Sequence, residues 1–150
     1  PDKVRLVLVG AGRTDDAAKI RSLGFEVDVF EYLPYRLFGD LYKTMDFLLM
    51  VSTYEGGPAN LPEALASSVP VLCTNVGMVP DLVSDGRDGL ILSGDIRHDI
   101  ARLSAVIDNA DGLADQLFQG AHENDTVIPW DDVILQHIRL YADLLSKASV

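Results

Sequence analysis

Five short apolar runs recur along the first two-thirds of the chain, and helix-like periodicity fills the gaps between them. "VRLVLVG" (4–10) is apolar nearly throughout and ends in glycine, the pattern of a strand covered on both faces of a parallel sheet. "FEVDVF", "MDFLLMVS", "PVLCTN" and "GLILS" read as four more strands, the last after the turn "SDGRDG". "TDDAAKIRSLG" reads as a helix with Thr14 as N-cap, Asp15 and Asp16 at its positive end and Gly24 as its stop. "YRLFGDLYKT" sets Leu37, Leu41 and Tyr42 on one side of a short helix, and "NLPEALASS" does the same with Leu61, Ala64 and Leu65. Beyond the last strand the pattern is helical only: "DIRHDIARLSAVIDN", "DGLADQLFQGAHEN" and, after Pro129, "WDDVILQHIRLYADLLSKA", with Trp130 expected to anchor the final helix.

Alternating strands and helices with short connections predict an α/β fold: a Rossmann-like parallel sheet with helices on both faces, in one domain over residues 1–150. Ligands of such folds bind beyond the carboxyl ends of the strands. Three loops meet that condition, 10–14, 52–60 and 74–80, and the expectation is that they converge on one edge of the sheet.

Composition narrows the partners. A formal net charge of −11 argues against a nucleic-acid partner, because phosphate backbones select basic surfaces. No window of about 18 consecutive apolar residues is present, so no spanning helix is expected. Pro1-Asp2-Lys3 leads straight into a strand-like run, without the pattern of a signal peptide. A first residue other than Met suggests a piece of a longer protein. Cys73, the single cysteine, lies in an apolar run and reads as a buried structural thiol, compatible with a reducing compartment. The expected location is cytoplasmic, with peripheral membrane attachment open to the full-length protein. His98, His122 and His137 have no metal-like spacing, and neither a metal nor a cofactor is expected. Met45, Met50 and Met78 read as core or loop fillers.

The chemistry concentrates in "STYEGGPANLPEALASSVPV", where Glu55 and Glu63 stand eight positions apart (63 − 55) around a glycine-rich turn. Asn60-x-x-Glu63 resembles a capping box, which gives Glu63 a purely structural role. The other reading joins the two carboxylates. A helix starting near Asn60 directs unpaired N–H groups into the crevice, suited to an anion, and carboxylates beside it accept hydrogen bonds from hydroxyls. A diphosphate flanked by two sugars, a nucleotide-sugar, matches that combination. Both readings stand on the sequence.

These residues resemble a known family. "EGGPANLPEALASSVPVLCTNVGMVPDLVSDGRDGLIL" is similar to the carboxy-terminal domain of retaining glycosyltransferases of the group 1 (GT4) type, which have the GT-B fold. The signature is Glu, seven residues, Glu, an Ala-rich helix and Pro-Val. "VRLVLVGAG" resembles that domain's second strand and glycine turn, and "WDDVILQHIRLYADLL" its final Trp-led helix. The resemblance implies the donor-binding domain of a hexosyltransferase-type enzyme of glycan biosynthesis, which transfers a sugar from a nucleotide-sugar to an acceptor. It implies that Glu63 binds the donor ribose and that Glu55 contacts the transferred sugar with a catalytic role. The segment Gly56, Gly57, Pro58, Ala59, Asn60 and Leu61 would bind the donor, the amides around Pro58–Leu61 helping to hold the diphosphate and sugar, and Gly10, Gly12 and Arg13 would approach the nucleotide.

The chain also departs from that family. The family's domain begins one strand earlier, with a Gly-Arg segment and a nearby Lys that neutralise the diphosphate. Arg13 and Lys19 are the nearest cations here, as weak substitutes or as solvated surface residues. The amino-terminal acceptor domain is absent as well, so this chain alone is expected to be inactive until that domain or a partner chain is supplied. A strand edge left open beside residues 4–10 would recruit another segment or another copy of the chain.

Two readings of other classes remain open. Gly10-Ala11-Gly12 follows a strand, and Glu31 ends the next one, as in an NAD-binding domain, although Asp15 occupies the third glycine position. A non-catalytic nucleotide-sugar-binding or interaction module that works only with a partner chain also fits. A nucleotide-sugar epimerase of the GT-B type is a weaker third.

Overall fold

A computed structural model describes residues 2–148. Five strands, β1 (Arg5–Val9), β2 (Glu26–Phe30), β3 (Leu48–Met50), β4 (Val71–Thr74) and β5 (Gly89–Leu92), alternate with helices α1 (Thr14–Ser22), α2 (Phe38–Tyr42), α3 (Asn60–Ala66) and α4 (Val79–Leu82). Three helices follow: α5 (Ile96–Ile107), α6 (Leu113–His122) and α7 (Trp130–Ala148). Every strand pair is parallel, so the α/β class expected from the alternation holds.

The core lies on both faces of β4. Val71 and Cys73 face Tyr42, Met50, Leu61, Ala64, Leu65 and Val79, while Leu72 turns to the other side with Leu90, Leu92, Val106 and Leu117. Successive side chains of a strand point to opposite faces, so a run apolar at every position is what a strand covered by α2–α4 on one side and by α5–α6 on the other requires. Met45 and Met78 are partly buried fillers against the first cluster. Asp88 is the one buried charged residue among those described. It accepts from the Ser84 amide at 2.8 Å and from the Asn124 side-chain amide at 3.0 Å, which ties the β4–β5 turn to the segment after α6.

One continuous sheet does not form. The order is β1–β2 in one sheet and β3–β4–β5 in another, and no backbone hydrogen bond joins β1 to β3 among the described residues. A cleft of about 1090 Å³ separates them, walled by Leu6–Val9 on one side and by Leu48–Val51 on the other. Leu6, Val7, Leu8 and Val9 are therefore only half-buried, although their sequence reads like that of β4.

Two further expectations are corrected. Trp130 anchors nothing: it is 80% exposed at the start of α7. A turn in which the Asp132 and Val133 amides donate to the Pro129 carbonyl begins this helix without needing the indole. The side of α7 carrying Ile134, Ile138, Tyr141 and Leu145 is exposed too. Thr14 is the first helical residue of α1 rather than its cap, because Arg13 before it already has near-helical dihedrals. Among the described residues no helix is long and apolar enough to cross a membrane, and no cluster of three or more His, Cys, Asp or Glu is arranged to hold a metal ion.

Candidate functional site

The mouth of the cleft gathers residues from the ends of both sheets. Gly10, Ala11 and Arg13 from the loop after β1 and Ser52, Glu55 and Asn60 from the loop after β3 line it together, with Glu31, Tyr32 and Lys19 alongside. Of the residues singled out from the sequence, Gly10, Arg13, Glu55 and Asn60 thus meet in one concavity.

The first loop is set by its own carboxylate. Glu31, at the end of β2, accepts from the Gly12 amide at 3.1 Å and from the Thr14 hydroxyl at 2.9 Å. Gly12 has φ +77°, a conformation a side chain strains to adopt. Glu31, which a dinucleotide reading needs for a ribose, is thus engaged with the loop itself. Arg13 places its Nε about 4.0 Å from where a Cβ on Gly10 would sit and pairs with Asp16 at 3.5 Å. Its guanidinium stays exposed at the cleft mouth.

The second loop presents Glu55. Its Oε1 accepts from the Ser52 hydroxyl at 2.8 Å, and the Ser52 carbonyl accepts from the Thr74 hydroxyl at 2.6 Å. The carboxylate is thereby braced from the ends of both β3 and β4. Gly77, at φ +56°, brings the third loop against it: an added Cβ there would lie 3.1 Å from the Glu55 carbonyl oxygen and from Pro58 Cδ. The second and third loops therefore converge, as the strand order predicts. Gly56 is open to solvent, whereas Gly57 approaches the Met78 methyl. Pro58 is buried and Ala59 exposed. The side chain of Leu61 is wholly inside the core, and its amide donates to the Pro58 carbonyl at 3.2 Å.

Glu63 is not part of a capping box. Ala59 is already helical (φ −62°, ψ −30°), so Asn60 falls inside the first turn and no side chain caps α3. The Glu63 carboxylate leaves the helix sideways and takes two phenols, from Tyr35 at 3.2 Å and Tyr42 at 3.0 Å, one on each oxygen. Burial first, and then the hydrogen bond to Glu63, raises the Tyr42 hydroxyl well above its ordinary range. Tyr35 is raised chiefly by its hydrogen bond to the same carboxylate. Both stay neutral donors at physiological pH. Glu63 lines a smaller pocket of about 380 Å³, which shares Phe38 and Tyr42 with the main cleft. The two glutamates therefore stand in adjoining concavities rather than in one.

Sequence reasoning missed Tyr35, Tyr42, Ser52 and Thr74 as parts of this site. One signal was present: tyrosines seven apart (42 − 35) fall on one face of a helix, two turns from each other. Ser52 stands only three residues before Glu55, within the stretch already singled out, whereas Thr74 reaches Ser52 from 22 residues away.

Comparisons with known proteins identify the family and the fold. The family model described as "Glycosyl transferases group 1" matches residues 1–109. A D-inositol 3-phosphate glycosyltransferase of Acidothermus cellulolyticus is 27% identical over 155 residues, covering 95% of this chain and 34% of its own length. That of Actinosynnema mirum is 33% identical over 114 residues, covering 74% and 27%. The chain thus spans about a quarter to a third of the length of the curated relatives it matches. Among solved structures, sucrose-phosphate synthase from Thermosynechococcus elongatus superposes with TM-score 0.78 at 21% identity, covering 95% of this chain and 39% of that one. Anabaena HepE in complex with UDP and glucose gives 0.68 at 22%, covering 98% and 41%. At such identities the structural likeness establishes the fold, that of the GT-B glycosyltransferases. With a family model matched over 109 of 150 residues and spanning both loops of the cleft mouth, the chain belongs to the group 1 glycosyl transferases.

Proposed function

We propose that this chain is the donor-binding part of a retaining, hexosyltransferase-type glycosyltransferase and that a nucleotide-sugar lies across the cleft mouth. The observation that carries this reading is the pair of braced carboxylates in adjoining concavities, with Arg13 and Lys19 beside the larger one. Glu63, held on both oxygens by tyrosines, keeps lone pairs for the vicinal hydroxyls of a ribose. Glu55, fixed by Ser52, faces the transferred sugar and accepts from its hydroxyls. Arg13, Lys19 and loop amides offset the diphosphate charge between them. HepE, solved with UDP and glucose, makes uridine diphosphate and UDP-glucose reasonable probes. Transfer itself belongs to the whole protein, together with an acceptor domain.

Calorimetric titration with both probes tests the assignment. A hydrogen bond to a charged group contributes roughly 1.5–3 kcal/mol. Glu63→Gln should therefore weaken uridine diphosphate binding roughly 10- to 100-fold. Glu55→Gln should leave uridine diphosphate affinity unchanged and weaken UDP-glucose alone. Equal affinity in the Glu63 variant and the parent chain would remove the ribose assignment.

A further inference from the structure

We infer that the two phenols on Glu63 play unequal parts in the donor site. Tyr42 is a positioning residue, which fixes the carboxylate for a ribose, and Tyr35 is a placeholder, whose hydroxyl yields its carboxylate oxygen to a ribose hydroxyl. The inference rests on the donor reading above and deepens it, because it names the residue that sets a preference for ribose over deoxyribose.

Geometry separates the two phenols. Tyr42, the last residue of α2, is 4% exposed, belongs to the core cluster on one face of β4 and donates to Glu63 Oε2 at 3.0 Å. Tyr35 is 76% exposed, stands in a three-residue 3-10 turn (Tyr35–Leu37) and donates to Oε1 at 3.2 Å. Its ring leans on Phe38, with centroids 5.9 Å apart. Among the described residues no cation pairs with Glu63. The carboxylate therefore owes its direction to the phenols, and only the exposed one has solvent to swing into.

Chemistry makes the exchange at Oε1 nearly balanced. A phenol and a ribose hydroxyl are both neutral O–H donors, so replacing one with the other leaves the count of charge-assisted bonds on Glu63 unchanged. The exposed bond nets little, since water competes for both of its ends. The buried bond at Oε2 has no such substitute: without it, that oxygen faces the apolar side of α2 and the carboxylate is free to turn. The pocket that holds both phenols and Glu63 measures about 380 Å³, near the lower end of the range of about 300–1,000 Å³ for small-ligand sites. That is room for a sugar ring. Phe38 and Tyr42 form the wall it shares with the larger cleft, where Arg13 and Lys19 stand ready for the diphosphate.

Calorimetric titration of the chain with uridine diphosphate and with 2′-deoxyuridine diphosphate tests the assignment. The parent chain should prefer the ribonucleotide roughly tenfold, the worth of one hydrogen bond to a charged group. In Tyr42→Phe that preference should shrink to about threefold or less, as the carboxylate loses its direction. A folding defect lowers both affinities by the same factor and leaves their ratio alone, so the ratio reports positioning and not stability. Tyr35→Phe removes the competitor and should tighten uridine diphosphate binding roughly threefold with the preference intact. An unchanged ratio in Tyr42→Phe overturns the positioning role, and equal or weaker binding by Tyr35→Phe overturns the placeholder. The donor reading fails separately: a parent chain that binds neither nucleotide, or a Glu63→Gln variant that binds both as the parent does, removes that reading and this inference with it.

Discussion

The β3–β4–β5 unit and the β1–β2 unit are written in similar letters and packed to different depths. In the first, Leu61, Ala64, Val71, Cys73 and Val79 have no exposed surface, and both faces of β4 are covered by helices. In the second, Ala17 and Val27 are the only buried residues among those described, although β1 is apolar at four of its five positions. The difference teaches that an apolar run states how much cover a strand needs, not whether the cover is present. The β3–β4–β5 unit meets that need within its own sequence. The β1–β2 unit meets it on the side of β2 and α1 and stands open on the other.

The sharpest test of this contrast is a pair of truncations. Leu61→Ala removes a fully buried side chain and should destabilise the fold by about 3–4 kcal/mol. Leu8→Ala, in the half-covered strand, should cost about 1 kcal/mol, and chemical denaturation of the two variants measures the ratio. Comparable losses would mean that β1 is as deeply packed as the core. A milder cut is Tyr42→Phe, which deletes one donor to Glu63 and should cost about 1 kcal/mol. The Tyr42 hydroxyl is raised from its ordinary value of 10, so its contribution is fully present below pH 10 and lost as pH rises through the folded-state value. Denaturation of the variant and the parent chain at neutral and strongly alkaline pH should show their difference shrinking.

The smallest effects separate the two units by salt. Asp99 accepts from the Ser93 amide and hydroxyl and from the Gly94 amide, and the Ser93 amide bond leads in holding its carboxyl below the ordinary 3.8. Asp28 is lowered chiefly by an exposed hydrogen bond from Arg5. Both carboxylates stabilise the fold above their unfolded-state value, and both contributions fade as pH falls through the folded one. Asp99→Asn should lower the melting temperature at neutral pH in low salt and in about 1 M salt alike. The smaller effect of Asp28→Asn should vanish in about 1 M salt, where screening acts within roughly 3 Å. A salt-independent Asp28 effect would show that this edge is better covered than its exposure implies.

Much of this was legible beforehand, for reasons that differ by element. β4 and α3 were readable because both have dense apolar signals and find their cover nearby in the chain. The division into two sheets was not, since "RLVLV" and "VLCT" carry the same signal whatever lies beside them. The bounds at Thr14 and Asn60 shifted by one residue because Arg13 and Ala59 had already turned helical. α4, one turn ahead of Val83, has too few residues to show a period. At the site, Glu55 and Glu63 stood out by their spacing, but the tyrosines that hold Glu63 lie 28 and 21 residues away and are brought in by the fold alone.

Cys73 gives this molecule a stopwatch. Its sulfur sits in the middle of β4 with no exposed surface, and burial first, then Asp85 and Asp88, pushes the thiol up to about 11. A disulfide reagent at mildly alkaline pH therefore meets little thiolate while the strand is closed and an ordinary cysteine once it opens. Because the chain has a single cysteine, the rate of its capture times the opening of the β3–β4–β5 unit alone, without an engineered label.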